Sequence, residues 1–228
     1  MRHHTRGFTL IELLVAISLM ALMAVLSWRG LDGISRSQSQ LQQRSDDVQA
    51  LQSTLGQWGA DLDALAEQPN TPSLDWDGRA MRILRRSNTG AGAGLVVVAW
   101  ARRTTGGAGQ WLRWQSPELH TRGELDRAWQ KAQLWAQTPS EDDRQREVRT
   151  VALDAWQIFF YRGNAWTNPL SSAGTPATVN GTDGAAATTD ADNTTPDGVR
   201  LVLNLSGGQA LSGTLTRDWV RPILVGSP

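Results

Sequence analysis

A single carboxylate, Glu12, stands inside an otherwise apolar run of about twenty residues from Phe8 to Trp28, long enough at about 1.5 Å per residue for one bilayer-spanning helix. An ionisable group inside a span is costly and ordinarily has a partner. Arg2 and Arg6 precede the run, and no Ala-x-Ala site follows it, since the chain continues Trp28-Arg29-Gly30; this is not an ordinary secretory signal. Elsewhere the residues of catalysis are sparse. Cysteine is absent, His3 and His4 sit in the basic head, His120 stands alone, and Lys131 is the single lysine. Cys nucleophiles and multi-His metal sites are thereby excluded. A Ser-His-Asp set using His120 has no nucleophile-elbow sequence to support it, so His120 reads as a surface or structural residue. Paired-carboxylate hydrolysis stays formally open, because Asp and Glu total 22.

Two further groups of side chains have a binding reading. Asp183, Asp190, Asp192, Asn193 and Asp197 gather oxygen ligands of the kind calcium takes, but their spacing matches no EF-hand and such residues are common in solvated loops. The preferred reading is no cofactor and no metal. The eleven tryptophans offer aromatic faces for a carbohydrate or protein groove. Several of them, however, alternate in strand-like segments or sit on a helical stripe, which reads as core.

The elements that carry these residues follow from composition and periodicity. With 228 residues and 40% hydrophobic content, the chain suffices for one core domain beside the apolar helix. Lys+Arg and Asp+Glu balance at 22 each, so no concentrated basic face points to nucleic acid. The lack of Cys fits any compartment. After Gly33, apolar residues recur every seven positions at Ile34, Leu41, Val48, Leu55 and Leu62, joined by Leu51, Trp58 and Leu65. This predicts an amphipathic helix over 29–68, continuous with the apolar one and ending before Pro69 and Pro72, its stripe packed on the domain's own sheet in preference to the alternative, a coiled coil. Strands are expected at Arg79–Arg86, Leu95–Arg102, Trp111–Ser116, Arg149–Leu153, Ala155–Arg162, Val199–Leu205 and Gly213–Val220, with a helix at 123–137 between them. Glu141–Arg149 reads as a solvated loop, and Ser171–Pro196, poor in apolar residues, as a long mobile one. The fold class predicted is α+β, a long N-terminal helix packed on antiparallel sheet.

The run Arg6-Gly7-Phe8-Thr9-Leu10-Ile11-Glu12 resembles the type IV prepilin signature, in which a short basic leader ends in Gly and Phe-Thr-Leu-x-Glu opens a hydrophobic helix. The resemblance implies cleavage between Gly7 and Phe8 by prepilin peptidase, N-methylation of the new Phe8 amine, and assembly into a pilus-like filament. It divides the chain into a leader at 1–7, a membrane or filament-core helix at 8–28, the amphipathic half-helix at 29–68, and a β-rich head at 69–228. Four residues separate Phe8 from Glu12, about 6 Å of helix rise. A neighbouring helix displaced along its axis would set its Phe8 amine beside this carboxylate, an intersubunit assembly salt bridge. The competing reading is a protonated Glu12 near the headgroups with no partner.

Weaker features resemble one member of that superfamily, the minor pseudopilin J group (GspJ/PulJ) of type II secretion. They are Leu31-Asp32, the stretch from Leu51-Gln52 to Asp61-Leu62, Trp156-x-x-Phe159-Phe160-Tyr161 with Trp166, Pro196-Asp197-Gly198-Val199-Arg200-Leu201-Val202-Leu203, and Arg217. The Ser171–Pro196 loop departs from the compact version of the family. Retention of Glu12 argues against the K component. The resemblance implies a structural, non-enzymatic protein of the pseudopilus tip, with the I and K components and the major pseudopilin as partners; it adds that related pseudopilins use calcium. It also implies a single pass of the bacterial inner membrane, with the N-terminus cytoplasmic and the head periplasmic, in keeping with Arg2 and Arg6 ahead of the span. The second reading within the superfamily is a minor pilin of a type IV pilus.

Overall fold

The computed structural model describes residues 8–87, 94–171, 195–207 and 211–222. The chain divides into two units, Met1–Asp46 and Asp47–Pro228, and helix α1 (Leu10–Asp63) contributes residues to both. In the first unit the helix is exposed throughout, with large apolar side chains such as Leu13, Leu14, Leu19, Met23 and Leu26 all more than half accessible. It is the one helix among the described residues long and apolar enough to cross a membrane. Its hydroxyl at Ser18 donates back to the Leu14 carbonyl at 2.8 Å, so the donor is satisfied within the helix.

The seven-residue stripe behaves differently in the two units. Ile34 and Leu41 are exposed, whereas Leu51, Trp58 and Leu62 are buried in the second unit. The expectation of a stripe packed on the domain's own sheet therefore needs correction: it holds only from Leu51 onward. The helix also stops at Asp63 and not at 68. The reason is competition for backbone hydrogen bonds. The Ala66 N–H donates to the Leu84 carbonyl and the Arg86 N–H to the Ala64 carbonyl, each at 2.9 Å. The strand edge thus satisfies groups that another helical turn would otherwise have used.

The second unit is an antiparallel sheet with a helix on each face. The strands are β1 (Leu74–Trp76), β2 (Ala80–Arg86), β3 (Leu95–Thr105), β4 (Ala108–Gln115), β5 (Glu147–Arg162), β6 (Ala165–Thr167), β7 (Gly198–Leu205) and β8 (Gly213–Val220). Their order is β1-β2-β3-β4-β5-β7-β8, with β6 paired to the end of β5. Helices α2 (Arg122–Gln137) and α3 (Glu141–Gln145) lie between β4 and β5 in sequence. The two segments expected around Asp154 are one long strand. Its first part pairs with β4 and its second with β7, and the register skips Asp154, between Leu153↔Leu205 and Ala155↔Asn204.

The segment 141–149, expected as a solvated loop, instead contains α3 and the start of β5. Ser140 and Asp143 cap α3 reciprocally, and Lys131 bridges Asp142 and Asp143 at 3.1 and 3.2 Å, so these charges are spent on structure. β1 and β6, at three residues each, are too short for a periodicity to reveal them.

One sheet face carries Met81, Ile83, Val98, Trp100, Trp111, Leu153, Ile158, Leu201 and Leu203 against Trp58 and Leu62 of α1. The other carries Leu84, Val97, Ala99, Leu112 and Trp114 against Leu125, Ala132 and Trp135 of α2. β2 and β3 are covered on both faces, which is why their sequences run apolar where a half-solvated strand alternates. The preferred reading of the tryptophans holds: Trp58, Trp100, Trp111, Trp114 and Trp135 are fully buried, and Trp76, Trp156 and Trp219 nearly so.

Two buried indoles differ in a way that stability measurements will read. Trp58 Nε1 has no hydrogen-bond partner among the described residues, whereas Trp100 Nε1 donates to Asp61 Oδ2 at 2.9 Å. Both Trp→Phe changes lose similar packing, but Trp58→Phe also removes an orphan donor while Trp100→Phe leaves a carboxylate short of one. The expected gap is about 1–2 kcal/mol in favour of Trp58→Phe, measured as urea midpoints of the two variants side by side. Equal midpoints would contradict it.

Candidate functional site

At the head of α1 the chain builds a small polar constellation from local sequence alone. Thr9 precedes the first helical residue, Leu10, and its carbonyl accepts the first helical bond from the Leu13 N–H at 3.3 Å. The Thr9 hydroxyl accepts from the Glu12 N–H at 3.4 Å and donates to Glu12 Oε2 at 2.8 Å, while the Thr9 N–H donates to the same oxygen at 2.9 Å. This is a capping box, Thr at the cap and Glu three residues on, each answering the other's unpaired backbone donor. The positive end of the helix dipole lies at the same place. Glu12 is therefore held against the helix start rather than pointing freely outward; Phe8, the residue before the Thr9 cap, is 87% exposed.

Sequence reasoning singled out Glu12 but not Thr9. The signal was present as Thr9-Leu10-Ile11-Glu12, the capping pattern ahead of an apolar run. Gly7 lies outside the described residues, so Phe8 is the described half of the expected cleavage site. Of the oxygen ligands considered for calcium, Asp183, Asp190, Asp192 and Asn193 also lie outside them. Asp197 is exposed; its N–H donates to the Tyr161 carbonyl at 3.1 Å and its carbonyl accepts from the Arg221 N–H at 2.8 Å. Among the described residues no group of three or more His, Asp or Glu side chains is gathered as for a metal. His120 is exposed, with its N–H donating to Glu124 at 2.8 Å ahead of α2.

The head contains a second polar centre, buried and of another kind. Asp61, on the last turn of α1, is fully buried. Its Oδ1 accepts from Arg85 at 2.6 Å, Arg113 at 2.7 Å and Gln57 at 3.0 Å, and its Oδ2 from Arg113 at 2.8 Å and Trp100 at 2.9 Å. One carboxylate thus ties α1 to β2, β3 and β4. Periodicity does not reveal it, because Asp61 adjoins Leu62 on the stripe and its partners on the sheet lie 24 to 52 residues away.

On the outer face of β5–β7–β8, Arg200 lies over the Trp166 ring at 4.3 Å and pairs with Asp218 through two bonds of 2.8 and 2.7 Å. The hydrogen bonds from Arg200 hold the Asp218 carboxyl below its ordinary range. A lowered folded pKa means that this stabilisation is complete above the unfolded value near 3.9 and is lost as pH falls through the lower folded one. The side chains are 34% and 39% exposed, so solvent screens the pair and its contribution to stability is small. Asp218→Asn is expected to flatten that small acid-dependent component in urea titrations between neutral pH and pH about 3. An unchanged pH slope would remove the assignment.

The first part of the chain, residues 2–28, matches the model of the prokaryotic N-terminal methylation motif. No curated protein matches the chain. Among solved structures, it is similar to a chain of the GspK-GspI-GspJ complex from the enterotoxigenic Escherichia coli Type 2 Secretion System, at 15% identity, covering 77% of this chain and 98% of that one with a TM-score of 0.45. The capped helix start at Thr9 and Glu12 lies within the matched residues, ahead of an exposed apolar helix and an α+β head. Residues 2–28 of this chain thus carry the prokaryotic N-terminal methylation motif.

Proposed function

We propose that this chain is a structural minor pseudopilin of a type II secretion system, acting by assembly and not by catalysis. The observation that carries the reading is the methylation motif at the head of an exposed apolar helix whose far end is built into an α+β head. On this reading prepilin peptidase cuts between Gly7 and Phe8, the Phe8 amine is methylated, and the helix crosses the bacterial inner membrane with Arg2 and Arg6 on the cytoplasmic side. The head is periplasmic. The sequence resemblance to the J group further supports a place at the pseudopilus tip, joined to the I and K components above the major pseudopilin. Growth of that filament helps drive folded proteins across the outer membrane.

Two measurements test this. Co-expressed with prepilin peptidase, the full chain should yield a mature form beginning at methylated Phe8, read by intact-mass and N-terminal peptide spectrometry; an uncut chain would overturn the processing step. Co-purified from membranes with candidate partners, it should form a stable ternary complex with the I and K components. Capture by minor pilins of a type IV pilus alone would replace the tip assignment.

A further inference from the structure

A groove of about 670 Å³ opens at one end of the sheet in the head, between the β1–β2 turn, β3, the C-terminal end of α2 and the skipped residue of β5. Its chemistry is mixed in a particular way. Arg102 is half-buried and forms no ion pair among the described residues; its Nε donates to the Leu153 carbonyl at 2.8 Å. It lies so close to β4 that a Cβ at Gly109 would stand 2.5 Å from Arg102 Nη2 and 2.1 Å from the Leu153 carbonyl oxygen. Glycine there is what lets the guanidinium lie against the strand. Across the groove, Arg79 is exposed on a turn whose backbone Asp77 fixes at 2.9 Å, and its guanidinium likewise has no carboxylate partner among the described residues. Arg103 adds no free charge, being spent on Glu147 at 2.5 Å.

The same groove presents acceptors. Of the carbonyls that end α2, Leu134 is taken by the Thr138 N–H at 2.7 Å and Trp135 by Arg103 at 3.4 Å. Ala136 and Gln137 follow at the groove itself, where helix-end carbonyls lack intrahelical donors. Asp154, skipped by the register, stands at the wall and, among the described residues, accepts from Ser206. A simple anion would meet the Arg pair but also the negative end of the helix and Asp154. An extended peptide bearing carboxylates answers both, giving main-chain N–H groups to the acceptors and acidic side chains to the guanidiniums. The volume lies within the range of ligand clefts.

We propose that this groove binds an extended acidic peptide segment of a partner protein, with Arg79 and Arg102 as the carboxylate-reading residues. The test uses the full chain in zwitterionic detergent and a fluorescein-labelled peptide of alternating Glu and Ala, with the Gln-for-Glu peptide as control, read by anisotropy. Saturable binding of the Glu peptide is expected, weakened roughly tenfold by Arg79→Gln or Arg102→Gln and strengthened by Asp154→Asn. Arg217→Gln, away from the groove, should change nothing. Arg79 has no side-chain hydrogen bond or ion pair among the described residues, so Arg79→Gln keeps the test valid even where Arg102→Gln unfolds the head. Equal binding of the Gln peptide, unchanged affinity in Arg79→Gln, or no binding up to millimolar peptide would overturn the proposal. The processing and co-purification experiments do not depend on this result.

Discussion

Glu12→Ala is expected to give a chain that still enters the membrane but co-purifies with its partner subunits roughly tenfold less, or not at all. Insertion should not suffer, because the change removes an ionisable group from an apolar span. Assembly should, because in the filament we propose, Glu12 meets the methylated Phe8 amine of a neighbour. The structure adds a complication that makes the test sharper. Within a single chain Glu12 already bonds both the N–H and the hydroxyl of Thr9, so Glu12→Ala removes a helix cap as well as a charge. Glu12→Gln separates the two roles, since an amide oxygen can still accept from Thr9 but carries no charge. Thr9→Val does the converse, losing the hydroxyl and keeping the carboxylate. If the intersubunit pair matters, Glu12→Gln fails nearly as badly as Glu12→Ala while Thr9→Val retains most assembly. If assembly survives in Glu12→Gln and falls in Thr9→Val, the cap is the working feature and the salt-bridge proposal is wrong. The readout is partner recovered per unit of membrane-inserted chain, so loss of insertion and loss of assembly are scored separately.

The largest effect on stability is expected at Asp61. Asp61→Ala leaves the guanidiniums of Arg85 and Arg113, whose side chains are 8% and 12% exposed, facing each other's charge without the carboxylate that neutralised them. Breaking a buried ion pair from one side costs about 3–5 kcal/mol, which in a domain of this size lowers the melting temperature by roughly 10 °C. Near-ultraviolet circular dichroism of the full chain in detergent will follow it, since Trp100, one of Asp61's donors, sits in the affected core. A second variant keeps the cause identifiable: Asp61→Leu combined with Arg85→Met and Arg113→Met removes all the charges together. It is expected to lose less than Asp61→Ala. If the triple variant is the less stable of the two, the network is a net source of stability beyond its mutual neutralisation. A melting temperature unchanged in Asp61→Ala would show that the cluster is not buried as described.

Much of this architecture is written in local patterns. The apolar run from Phe8 and the seven-residue stripe each needed only their own spacing to be read as helix. The hairpin from Val199 to Val220 and the helix ending at Gln137 were likewise legible, because alternation, helical spacing and a following Pro139 act over a few residues. Errors fell where distant segments compete. Ala64 and Ala66 leave the helix because β2 offers them hydrogen bonds, and β2 lies some twenty residues away. The charged run after Pro139 is largely solvated as expected but is not a loop, because Ser140 and Lys131 engage Asp143 and Asp142 and set a short helix ahead of β5. Asp154 looks like a break between two strands, yet it is a skipped register position inside one.

The sequence by itself determined the first part of the chain: a Gly-Phe-Thr-Leu-x-Glu signature and an apolar helix, whose contacts are between near neighbours so that spacing alone specifies them. It also determined that the head is α+β, since period and composition report burial one face at a time. Only the tertiary structure decided which stripe residues are covered, that α2 lies on the opposite sheet face from α1, and that Asp61 is the buried counter-charge of Arg85 and Arg113. It alone brought Arg79, Arg102 and the end of α2 around one groove. Those are meetings of residues separated by tens of positions. Their energies arise from desolvation and charge pairing at the contact, and neither exists until the chain has closed upon itself.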